Sequence, residues 1–154
     1  MEISKSVPTL FTIGFAKKNA RTFFELLRNA KICKVIDVRL NNVSQLAGFT
    51  KKNDLAYFLE KILGCAYQHR PDWAPTDGIL DPYKKGETTW EDYLRDFSAL
   101  MERRKLGEDL SSADLNHVCL LCSEPTPEHC HRRLVAERLK RLYPELCIVH
   151  LIAP

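Results

Sequence analysis

The sequence predicts a single three-layer α/β domain, built on a mainly parallel sheet with helices on both faces. Three observations carry that expectation. Short apolar, β-branched runs recur along the chain and stop at Gly or at polar residues. Between them lie runs with apolar residues at i, i+3, i+4 and i+7, the spacing of a helix with one buried stripe. One strand-like run, Ile32 to Arg39, is mostly apolar without alternation, as expected of a strand covered on both faces. Strands alternating with helices imply right-handed crossovers and parallel pairing.

At 154 residues and 45% hydrophobic, the chain has the size of one domain, 1–154, with a core of its own. It holds no run of eighteen apolar residues, and Met1 to Pro8 lacks the apolar stretch of a signal peptide, so the expectation is a cytoplasmic protein without a membrane partner. The 23 basic residues nearly match the 20 acidic ones, so net charge alone does not argue for nucleic acid. Six cysteines in a chain of this length are read as thiols, with no structural disulfide. Cys33, Cys119 and Cys147 fall inside apolar runs as small buried hydrophobes, whereas Cys122 and Cys130 are flanked by polar residues.

The first strand is Thr9 to Gly14. Asn19 then caps a helix with Ala20, Phe23, Phe24 and Leu27 on one stripe, ending near Asn29. The second strand, from Ile32, ends in Asp37 and Arg39, which alternation places on one side. The polar loop Asn41 to Thr50 has the length at which loops tend to be functional, and it carries Ser44. From Asn53, residues Leu55, Phe58, Leu59, Ile62 and Leu63 give a full helical pattern stopped by Gly64. Cys65 to His69 reads as a short strand. After it Pro71, Pro75, Gly78, Pro82 and Gly86 argue against regular structure, so 71–89 reads as a lid or a disordered insertion. Thr89 with Asp92 resembles a capping box for a helix to about Arg104. A central strand, Val118 to Leu121, is followed by a polar loop, a helix to Tyr143 and a last strand, Cys147 to Ile152.

The polar residues gather where the strands end. Gly14, Asp37, Arg39, Cys122 and Glu124 all close strand-like runs, and parallel pairing would bring them to one edge, where open α/β sheets hold ligands. His131 sits three and four residues before Leu134 and Val135, on the inward edge of the last helix. Arg132 also leans toward the sheet and Arg133 outward. On the leading reading Asp37, Glu124 and His131 are catalytic, two neighbouring carboxylates dividing acid from base. Arg39, Arg132, Gly14, Ser44 and the helix N–H groups then bind a phosphate or carboxylate. The bland alternative is an acid–arginine network that only ties loops together. A third reading makes Cys122, Cys130 and His131 ligands of a soft metal, completed by Glu124 or Asp37. Metal is the less favoured cofactor, because the spacing departs from paired C-x-x-C motifs. A nucleophilic Cys130 is weaker still, since the arginine expected six residues after a phosphatase cysteine is Ala136. Trp73, Tyr83 and Trp90, interleaved with Arg70, Lys84 and Lys85, would suit stacking on a nucleotide or single strand, or packing their own loop onto the core.

Thr12-Ile-Gly14, Asp37-Val-Arg39, Cys122-Ser-Glu124 and Cys130-His131-Arg132 together resemble the family named domain of unknown function 488, over nearly the whole chain from Thr12 to about His150. The resemblance implies a small cytoplasmic α/β domain and assigns no activity. Where that family usually has a Pro and a second Arg after Asp37-Val-Arg39, this chain has Asn41, Asn42 and Gln45. It also has Pro71-Asp72-Trp73 in place of a Leu-Gly turn. The leading function is a hydrolase or transferase acting on a nucleotide, nucleic acid or other phosphate-bearing substrate. The alternative is a non-catalytic metal- or nucleic-acid-binding module using the Cys/His cluster.

Overall fold

The computed structural model describes residues 7–41, 48–124 and 126–154. Its core is a five-stranded sheet of β1 (Thr9–Gly14), β2 (Lys34–Asp37), β3 (Ala66–His69), β4 (Val118–Cys122) and β5 (Cys147–Leu151). The strand order is β3-β2-β4-β1-β5 and every pairing is parallel. Leu120 of β4 stands level with Thr12 of β1 and Ile36 of β2, so the three strands whose ends carry the polar residues are the sheet's centre.

Alternation along the strands divides the core in two. On one face Ile13, Val35, Cys119 and Leu121 meet α1 (Ala20–Asn29) and α2 (Lys52–Phe58), through Phe23, Phe24, Leu27 and Leu55. On the other, Leu10, Ile36, Leu120 and Cys122 meet α4 (Trp90–Arg104) and α5 (His131–Leu142), through Phe97, Met101, Leu134, Val135 and Leu139. Phe23, Leu27, Phe97 and Leu139 have no exposed surface, and each such side chain contributes about 1.5–3 kcal/mol by leaving water. The result is one α/β domain with helices on both faces.

Asn19 caps α1, accepting from the Thr22 N–H at 2.8 Å. The helix expected from Asn53 to Leu63 starts one residue earlier and changes form, α2 passing into a π-helical turn over Leu59–Leu63 before Gly64 ends it at φ 62°.

The segment 71–89 departs from the expectation of irregular chain. It holds a 3₁₀ turn, Pro71–Trp73, and α3 (Asp77–Lys84), with Pro82 inside the helix. A proline there removes one N–H donor; so short a helix loses little and packs on α4 instead. Trp73 is buried under the Arg70 guanidinium, 4.6 Å from the ring centroid, and Arg104 donates to the carbonyls of Asp72 and Ala74. These contacts seat the segment on the domain.

All six cysteines are free thiols, but their burial reverses part of the expectation. Cys33 and Cys147 are exposed at strand starts, while Cys122 and Cys130, despite polar neighbours in sequence, are buried. Among the described residues no helix is long and apolar enough to cross a membrane.

Candidate functional site

The chain leaves β2 toward α2 on one face of the sheet and leaves the adjacent β4 toward α5 on the other. Loops that diverge in this way open a crevice at the carboxyl ends of the strands. A cleft of about 500 Å³ lies there. Its floor is Arg39 to Asn41 after β2 and Cys122 to Glu124 after β4, with His131 from the first turn of α5. Its outer wall is Asp77, Asp81, Tyr83 and Lys84 of α3, with Tyr93 of α4 and His129. An aromatic array backs that wall. Tyr93 stacks on Trp90 at 5.2 Å between centroids, and Trp90 in turn stacks on His129 at 4.7 Å.

Asp37 is not on the surface of this cleft. It is fully buried at the end of β2, with Oδ1 accepting from Arg39 Nε at 2.8 Å and Oδ2 from Arg39 Nη2 at 2.7 Å. Oδ2 also accepts the Tyr67 hydroxyl at 2.6 Å, and Oδ1 the Arg39 N–H at 3.1 Å. Arg39 Nη2 donates further to the Thr50 carbonyl at 2.5 Å. Burial works against the charged guanidinium, but the hydrogen bonds and charge of Asp37 outweigh it and raise its pKa above the ordinary arginine value. Arg39 is therefore a fixed cation at the cleft wall, held from behind by a carboxylate.

Glu124 is exposed in the cleft, so Glu124, His131 and Arg39 line one cleft, with Asp37 buried behind Arg39. Gly14 and Arg132 stand elsewhere, beneath the loop that follows β4. Arg132 has no exposed surface; its Nη1 donates to the Glu124 carbonyl at 2.6 Å and to Cys130 Sγ at 3.5 Å, and its Nε to Thr12 Oγ1 at 3.3 Å. A Cβ on Gly14 would lie 1.5 Å from that same Glu124 carbonyl oxygen. At both residues the contacts are with the loop itself, the kind of contact the bland alternative describes. Ser44 lies outside the described residues.

Cys122, Cys130 and His131 converge, their ligand atoms within 4.8 Å of one another, and all three are buried. His131 Nε2 is 2.6 Å from the Val38 carbonyl oxygen, which can only accept, so Nε2 carries a proton. Nδ1 is then the nitrogen without a proton, 3.5 Å from Cys122 Sγ, which also lies 3.7 Å from Nε2. The hydrogen bond from Cys130 holds the Cys122 thiol below its usual pKa against the effect of burial, aided by the Ser123 and Glu124 backbone and the Arg132 charge. The same hydrogen bond, with burial, pushes the Cys130 thiol well up. Of the two thiols, Cys122 is therefore the more readily deprotonated.

Sequence reasoning placed Cys122 in this cluster but not its electrostatic environment, because Cys130 and Arg132 reach it only through the fold of the loop. It also missed Asp77 and Asp81, whose i, i+4 spacing points to one helix face only once 77–84 is known to be helical.

An open, all-parallel five-stranded sheet with helices on both faces and a polar cleft at its switch point defines a small α/β domain class. Within that class the family described as Domain of unknown function DUF488 matches residues 19–139, and the chain belongs to that family. The matched span includes Asp37-Val-Arg39, Cys122-Ser-Glu124 and Cys130-His131-Arg132, and leaves Thr12–Gly14 and β5 outside. No curated protein and no solved structure matches the chain.

Proposed function

We propose that this chain is an enzyme of hydrolase or transferase type acting on a nucleotide or related phosphate-bearing substrate. The observation that supports it best is that Arg39 and Glu124, on loops that leave the sheet toward opposite faces, and His131, opening α5, line one cleft. Arg39 binds the phosphate, and Asp37 is a positioning residue that keeps its guanidinium fork in place. Lys84 adds a second cation across the cleft, while Tyr83, Tyr93 and His129 give a base an aromatic surface. Glu124, the exposed carboxylate of the floor, exchanges the proton in the bond-breaking step, and His131 stands behind it, oriented by Val38. Asp77 and Asp81 make the cleft mixed in sign, which suits hydroxyl and amino groups of a nucleoside better than a bare polyanion.

Isothermal titration with adenosine and guanosine mono- and diphosphates, beside inorganic phosphate, tests this reading. The nucleotides should bind more tightly than phosphate. Lys84→Ala should weaken them about tenfold or more, the loss expected for one charged hydrogen bond of about 1.5–3 kcal/mol. Glu124→Gln should preserve binding and abolish turnover of any substrate found. Failure of every nucleotide to bind the folded protein would overturn the proposal.

A further inference from the structure

We infer that Cys122, Cys130 and His131 form a mononuclear site for a borderline-soft divalent cation, Zn²⁺ above all, with its fourth position open to the cleft. The inference stands apart from the nucleotide reading.

Distances carry the first part. Zinc sits about 2.3 Å from a thiolate sulfur and about 2.0–2.1 Å from an imidazole nitrogen, so tetrahedral angles require roughly 3.5 Å between sulfur and nitrogen and roughly 3.8 Å between sulfurs. Cys122 Sγ and His131 Nδ1 stand 3.5 Å apart, and all three ligand atoms fall within 4.8 Å. The tautomer carries the second. Donation of Nε2–H to the Val38 carbonyl at 2.6 Å leaves Nδ1 with the free lone pair, 3.5 Å from Cys122 Sγ; that sulfur is also 3.7 Å from Nε2, so the imidazole turns to aim the lone pair at an ion. That outer hydrogen bond to a carbonyl is the arrangement that orients most metal-bound histidines.

Arg132 supplies a third, independent observation. It has no exposed surface, and no carboxylate pairs with it among the described residues. Its Nη1 donates to Cys130 Sγ at 3.5 Å, while its Nη2 is buried without a hydrogen-bond partner. A cation buried in this way needs electron-rich neighbours; the Glu124 carbonyl at 2.6 Å is one, and Cys130 Sγ, once a bound ion has displaced its proton, would be the anionic one. Thiolates are also the form of cysteine that binds metal. Two sulfurs and one imidazole select a borderline-soft ion over Mg²⁺ or Ca²⁺. Cys122 and His131 both border the cleft, which gives the ion its route in and leaves water or a substrate atom as the fourth ligand.

Cobalt is the probe. The full chain, purified anaerobically with a non-chelating reductant, is titrated with Co²⁺ and then with Zn²⁺. One equivalent of Co²⁺ should produce sulfur-to-cobalt charge-transfer absorption in the near ultraviolet and the intense visible bands of a tetrahedral ion, both removed by Zn²⁺. Cys122→Ser and Cys130→Ser should each lose the charge-transfer intensity, and Cys65→Ser, on the opposite face of the sheet, should keep it. His131→Gln should lower affinity by more than the roughly 10–100-fold typical of outer-sphere changes. Should the buried variants fail to fold, alkylation of the wild-type protein decides the matter: Zn²⁺ should protect Cys122 and Cys130 and leave Cys33 and Cys147 reactive. Absence of thiolate–cobalt absorption in the folded wild-type chain, or alkylation of Cys122 and Cys130 indifferent to Zn²⁺, overturns the inference.

Discussion

Thr12 receives the Arg132 Nε–H, so its own hydroxyl proton is free to be donated to His150 Nδ1, 2.6 Å away. That bond favours the neutral imidazole of His150. Burial lowers its pKa from the model-compound value of 6.5, and the charge of Arg132 lowers it further; Arg133 acts the same way, against Glu137 and Glu128. The sign follows from linkage. The unfolded chain takes up a proton more readily at this site, so the contribution of the neutral imidazole is complete above about pH 6.5 and is lost as pH falls through the lower folded value. Urea midpoints measured from pH 7.5 down to 5 should decline, and His150→Gln, which keeps an acceptor without a titration, should decline less over that window. Parallel curves for the two proteins would remove His150 as the cause. Sequence alternation brought Asp37 and Arg39 together correctly, because that pair is local. Tyr67 on Asp37, Thr12 under Arg132 and Val38 on His131 were out of reach, since each joins residues far apart in the chain.

Helix α4 shows how local signals survive folding. The Thr89 side chain accepts from the Asp92 N–H at 3.1 Å, and the Asp92 carboxylate accepts from the Thr89 N–H at 3.1 Å, the reciprocal box expected from the sequence. Thr89→Ala should cost about 1 kcal/mol and lower the melting temperature by a few degrees, since the Asp92 N–H loses its side-chain acceptor while the backbone N–H of residue 89 can still reach the Asp92 carboxylate. An unchanged transition would mean that α4 is held by Phe97 and Met101 alone. Helix α3 shows the opposite case. Pro82 and Gly78 outweighed its short apolar stripe in the sequence reading, yet Ile79, Leu80 and Tyr83 find a surface on the core beneath α4, and tertiary burial overrides weak propensity. The wall of the candidate site was illegible for that reason, whereas its floor was plain from the ends of β2 and β4.

At the scale of the molecule, the sheet was readable because each parallel strand is a compact apolar run and each crossover an amphipathic one. β4, the middle strand, supplies both cores as β1 and β2 do, with Cys119 and Leu121 in one and Leu120 and Cys122 in the other. Leu120 has no exposed surface and stands level with Thr12 and Ile36. Leu120→Ala should therefore destabilise by about 2–5 kcal/mol, read as a fall in the urea midpoint at constant slope. A loss under about 1 kcal/mol would show that the second core collapses around the cavity.

The close approach at Gly14 has an evolutionary reading. The backbone of β1 and the carbonyl of Glu124 meet where no side chain fits, and that carbonyl is also the anchor of Arg132. Position 14 can drift to no other residue while the Cys122-to-His131 loop keeps its path. Lineages that change it must reroute the loop in the same step, or lose the geometry that gathers two sulfurs and an imidazole.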